Sequence, residues 1–72
     1  MGTQGLISPL AQQRARRDIT QQELADRAGV SRLTIVRMEG DPDRRPHLRT
    51  IYKLAEVLGC GVEDIAPWLE VA

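Results

Sequence analysis

The sequence predicts an all-α fold, a compact domain of five short helices without a sheet, and three observations carry that expectation. Ser8, Thr20 and Ser31 each precede a run of helix-forming residues, where a side-chain oxygen can cap the first turn. Leu48, Ile51, Leu54, Ala55 and Leu58 recur at the i, i+3, i+4 spacing that lines one face of a helix. No segment alternates apolar and polar residues as a half-buried strand does.

The first helix is expected from Pro9 to about Arg17, opened by a proline at a position where the missing amide hydrogen is not needed. Asp18 and Ile19 lead to a second helix that starts at Gln21. Thr20 and Glu23 have the spacing of a capping box, in which the glutamate reaches back to the backbone N–H of the cap. Leu24, Ala25 and Ala28 form the buried stripe, and Gly29 ends the helix in the left-handed conformation glycine accepts. The third helix runs from Arg32 to about Glu39, with Ile35 and Met38 inward and residues 32, 33, 36 and 37 on the other face. Residues 40–46, with two prolines and no apolar side chain, read as a loop. Pro46 or His47 leads into the fourth helix, with His47 expected as a cap rather than a pH sensor, and Gly59 ends it. Val62, Ile65 and Ala66 make a short fifth helix that Pro67 interrupts.

The expected core is Leu10, Ile19, Leu24, Ile35, Met38, Leu48, Ile51, Leu54, Leu58 and Ile65. Trp68, Leu69 and Val71 are either a lid on that core or part of a dimer contact. Residues 1–7 are expected to be a disordered or vector-derived N-terminus, and residues 8–72 the single domain.

At 72 residues the domain buries only about 60% of its unfolded surface and has little room for a catalytic cleft. Cys60 is the only cysteine and His47 the only histidine, so neither a disulfide framework nor a cysteine metal cage can form within the chain. Cys60 reads as a small residue in a helix–helix turn rather than a reactive thiol. There is no glycine-rich phosphate loop and no recognisable carboxylate pair, so neither enzymatic activity nor a cofactor or metal is expected. No apolar run reaches the roughly 18 residues of a membrane span, and residues 1–9 lack the regions of a signal peptide. A cytoplasmic protein without membrane association is expected.

A formal net charge of zero argues at first against a nucleic-acid partner, but the charge is unevenly distributed. Residues 1–53 hold all ten Lys and Arg against six acids, a net of +4, whereas residues 54–72 hold four acids and no base. A phosphate backbone is drawn to the first part and repelled by the second.

The segment from Gln21 to Gly40 carries the functional signal. Two short helices joined by Gly29-Val30-Ser31 must cross steeply, and Ala25, Val30 and Ile35 close the corner. Spacing alone is shared by generic two-helix corners and by the helix-turn-helix, whose second helix can enter a major groove. A wider set of residues separates the two: Thr20-Gln21, Glu23-Leu24-Ala25, Ala28-Gly29-Val30-Ser31, Ile35, Met38-Glu39, Pro46, Leu54-Ala55 and Leu58-Gly59. With these, the chain from Leu10 to Ile65 resembles the lambda-repressor and Cro-like (XRE-type) helix-turn-helix domains.

The resemblance implies a lambda-repressor-like fold that binds double-stranded DNA. It assigns base contacts to the third helix, at Arg32, Leu33, Thr34 and Arg37, with Thr34 equally able to bond a phosphate and Arg37 the flanking backbone. An arginine there can bond guanine O6 and N7 as a bidentate pair, and Leu33 suits a thymine methyl. It assigns phosphate contacts to Gln21 and Ser31, at helix N-termini that favour anions, and to Arg44, Arg45, His47 and Arg49. It also implies a structural ion pair between Arg14 and Glu39, and it places Gln13 where related sequences carry an apolar residue. On the residues alone, Arg32 and Arg37 are equally readable as solvated side chains, and the 41–47 loop as a solvated turn. Asp41 and Asp43 depart from a phosphate-facing composition.

A sequence-specific regulator of transcription, a repressor bound as a homodimer to two half-sites, is the leading expectation. The rival is a protein-interaction module on the same fold, antitoxin- or adaptor-like, in which Leu33 and Val36 meet an unidentified protein partner.

Overall fold

Backbone hydrogen bonds at the helix ends set the boundaries of this fold. The computed structural model describes residues 8–41 and 43–69, and the expectations for residues 1–7 and Val71 lie outside them. It contains α1 (Pro9–Arg16), α2 (Gln21–Ala28), α3 (Arg32–Gly40), α4 (Leu48–Leu58) and α5 (Val62–Ile65), with no strand among the described residues. The all-α expectation is met in element number and order. Arg17 caps α1 instead of belonging to it, and α3 runs one residue further, to Gly40.

The N-terminal caps form as their residue types require. Ser8 Oγ accepts from the Ala11 N–H at 3.1 Å. Thr20 Oγ1 accepts from the Glu23 N–H at 3.0 Å while Glu23 Oε1 accepts from the Thr20 N–H at 2.9 Å, a complete capping box. Ser31 Oγ accepts from the Thr34 N–H at 3.2 Å. His47 occupies the cap position of α4, but its side chain makes no capping hydrogen bond.

Three helices end in the same way. The N–H of Ile19, Val30 and Cys60 bonds the carbonyl of Arg14, Ala25 and Ala55 respectively, at 3.2, 3.1 and 3.1 Å. Each bond wraps around a residue in the left-handed conformation: Asp18 (φ 53°), Gly29 (φ 70°) and Gly59 (φ 69°). The residue that follows, Ile19, Val30 or Cys60, then packs half-buried against the core. This is the Schellman arrangement with its apolar anchor, repeated three times.

α2 packs on α3 and α4, α5 on α1 and α4, and α1 on α3. Leu10, Leu24, Ile35, Ile51, Leu54 and Ile65 are fully buried, and Ala25, Ala28, Met38, Ala55, Leu58 and Ala66 complete the core. Leu48 is a correction: it was expected in the core but is 49% exposed. It is the first residue of α4, and helical side chains lean toward the N-terminus, so it projects past the end of the packed stripe. Ile19 is half-buried rather than fully inside.

Gln13 is buried, and its polar atoms are accommodated. Arg17 Nη1 donates to both Gln13 Oε1 and the Gln13 carbonyl at 2.8 Å. No buried side-chain nitrogen or oxygen among the described residues lacks a partner. No helix among them is long and apolar enough to cross a membrane.

Candidate nucleic-acid interface

α3 has two apolar sides, only one of which the fold uses. Ile35 and Met38 are buried beneath it, while Arg32, Leu33, Val36 and Arg37 share the outward face. Leu33 is 53% exposed and Val36 37% exposed. Thr34 lies half-buried at the edge, with its Oγ1 3.0 Å from Ser31 Oγ, so the cap holds the first turn of α3 through side chain and backbone together. At nine residues the helix is about 13 Å long, close to the width of a major groove.

Glu39, at the far end of α3, joins three helices. Its Oε2 accepts from Arg14 Nε of α1 at 2.7 Å and its Oε1 from Arg14 Nη2 at 3.0 Å, a bidentate pair. Oε1 also accepts from Gln21 Nε2 of α2 at 3.0 Å. Arg14 Nη1 donates onward to the Ile19 carbonyl at 2.8 Å, tying the pair to the left-handed turn after α1. Hydrogen bonding to Glu39 raises the Arg14 pKa above its ordinary value, partial burial works against that, and the charge of the carboxylate adds to it. Both side chains are largely withdrawn from water, at 19% and 10% exposure.

The remaining phosphate candidates fall in two places. Gln21 sits half-buried at the first position of α2, its amide turned by Glu39. Arg44, Arg45, His47 and Arg49 are all exposed on the loop and first turn of α4. Asp41 serves that loop: its Oδ1 accepts from the Asp43 N–H and its carbonyl from the Arg44 N–H, both at 3.0 Å. Arg45 differs from its neighbours, because its guanidinium lies 4.5 Å from the centroid of the Trp68 ring. Trp68 is half-buried and packs against the core together with Leu69.

Cys60 is half-buried in the α4–α5 turn. Burial pushes its thiol pKa up; Arg17 opposes this, and Asp64 and Glu63 reinforce it. No three His, Cys, Asp or Glu side chains gather as a metal-ligand set among the described residues.

Two of these relationships have no local signature in the sequence. The Gln21–Glu39 bond spans two helices, and the pairing of Arg45 with Trp68 depends on how the segment after α5 folds back.

A helix-turn-helix family model matches residues 10–65. An uncharacterized HTH-type transcriptional regulator of Archaeoglobus fulgidus is 46% identical over 52 residues, covering 72% of each chain. A similarly described protein of Methanocaldococcus jannaschii is 43% identical over 53 residues, covering 72% of this chain and 77% of its own.

Proposed function

Because the chain belongs to the lambda-repressor and Cro-like (XRE-type) family of helix-turn-helix DNA-binding regulators, we propose that it reads duplex DNA sequence-specifically by laying α3 in a major groove. Arg32, Leu33, Thr34 and Arg37 meet base edges. Gln21, Ser31, Arg44, Arg45, His47 and Arg49 meet phosphates and fix the register of α3 without reading sequence. The protein acts by occupancy, as a cytoplasmic repressor without catalytic activity. One short helix covers too few base pairs for useful discrimination, so two copies bind paired half-sites.

The observation that carries this reading is the outward face of α3, where Leu33 and Val36 stay exposed beside Arg32 and Arg37. Folding leaves these apolar side chains partly in water, whereas a groove offers thymine methyls to them and guanine edges to the arginines. The Glu39 junction supports the same reading. It ties α3 to the helix that holds Gln21, so groove and backbone contacts form one rigid unit.

Leu33 and Val36 also support the second reading, a surface for a partner protein. Affinity for random-sequence duplex DNA across a salt series separates the two. DNA binding predicts a log–log slope of about −0.9 per phosphate neutralised. Undetectable binding at low salt rejects the DNA reading and leaves the protein surface.

A further inference from the structure

The Arg45–Trp68 contact joins an exposed loop residue to a half-buried ring packed against the core. Leu69 N–H bonds the Ala66 carbonyl at 3.0 Å, closing a turn after α5 in which Ala66 is fully buried and Trp68 and Leu69 pack against the core cluster. The ring is therefore a fixed platform. Arg45 lies between Arg44 and the start of α4, and its Nη1 also donates to the Arg44 carbonyl at 3.3 Å. Loop arginines ordinarily sample many rotamers, and ordering one on binding costs entropy.

We infer that Trp68 is a positioning residue for DNA binding, holding the Arg45 guanidinium over its ring in the orientation that meets a backbone phosphate. The inference rests on the DNA-binding reading. Stacking and phosphate binding do not compete, because a guanidinium stacks through its face and donates hydrogen bonds in its plane. Trp68 carries no charge, so its effect on DNA binding passes through Arg45. Lysine at position 45 keeps the charge but not the planar fork, and so does not replace arginine.

The test measures binding of random-sequence duplex DNA across a salt series for the intact chain, Arg45→Ala, Trp68→Leu and the double variant, each checked by thermal melting. Arg45→Ala and Trp68→Leu are each expected to shallow the salt slope by about 0.9 and to lower affinity roughly fivefold to tenfold at 0.1 M salt. The double variant is expected to match Arg45→Ala. A structural role for Trp68 alone lowers the melting temperature but leaves the slope unchanged, and that outcome overturns the inference. So does a double variant weaker than either single one.

A second measurement needs no substitution. Trp68 is the only tryptophan, so its fluorescence reports the stack in the unaltered protein. Quenching by acrylamide should not increase when DNA binds, and a marked increase means that DNA pulls Arg45 off the ring. Failure of the unaltered chain to bind DNA at any salt rejects the underlying function instead, a result distinct from these.

Discussion

Gln21 of α2 donates its side-chain amide to Glu39 of α3 at 3.0 Å, on the same carboxylate oxygen that receives Arg14 Nη2. The two helices of the corner are thus joined by side chains as well as by the Gly29 turn. Removing the carboxylate strands Arg14 and releases Gln21 together. Glu39→Ala is expected to lower stability by about 2 kcal/mol, more than an exposed ion pair is worth. Gln21→Ala should cost about 1 kcal/mol, and a urea-denaturation cycle over both positions should show coupling of about 0.5–1 kcal/mol. Additive effects mean that the Gln21 bond contributes nothing.

Asp18 stands where Gly29 and Gly59 stand in the two other helix ends, at φ 53°. A Cβ in that conformation is strained, and a carboxylate beside the C-terminus of α1 faces the negative end of its dipole. Asp18→Gly relieves both at the cost of a more flexible unfolded chain. The expected net gain is about 0.5 kcal/mol, or roughly 2–4 °C in melting temperature. Asp18→Ala keeps the strain and loses the tolerance that aspartate has for this region, so it should melt below the parent. An order of stability other than Gly, Asp, Ala contradicts this account.

Leu48 and Ile51 share one sequence pattern and have opposite environments. Leu48→Ala should change stability by no more than about 0.5 kcal/mol, because its side chain is half in water. Ile51→Ala opens a cavity among fully buried neighbours and should cost about 2–4 kcal/mol. Equal costs in urea denaturation place Leu48 in the core after all.

Glu23 provides a pH signature. The Thr20 N–H it accepts holds its pKa below the ordinary glutamate value. A depressed folded pKa contributes stability that is present above the unfolded pKa and lost as pH falls through the folded one. The contribution of the capping box therefore fades only in the acid range. Glu23→Gln should flatten that part of the stability–pH curve by lowering stability at neutral pH toward the level the two proteins share in acid. An unaltered acid limb contradicts the assignment.

What was legible in the sequence follows from the range of each interaction. Ser8, Thr20 with Glu23, and Ser31 act within three residues of themselves, so residue type and spacing suffice to place them. Gly29 and Gly59 announce their left-handed turns because glycine favours them. Asp18 makes the same turn without the glycine, and the match becomes visible only through the Ile19–Arg14 hydrogen bond. Periodicity marks the α4 stripe, but it does not say where other helices stop covering it, hence Leu48. The resemblance implied the pairing of Arg14 with Glu39, whereas the Gln21 bond to the same carboxylate depends on the approach of two helices. Trp68 left a choice between lid and dimer contact. It packs against the core as a lid does, and the Arg45 guanidinium lies over its ring, a relationship no spacing encodes.

The central claim is that the outward face of α3 reads bases, and selection of preferred sites from random duplex DNA tests it most directly. The parent chain should select a defined half-site, repeated about one helical turn away. Arg32→Ala should abolish the preference at one base-pair position, costing about 1–3 kcal/mol there, and leave the others intact. A parent chain that selects no preferred site, or an Arg32→Ala variant that loses affinity uniformly on all sequences, contradicts direct readout by this helix.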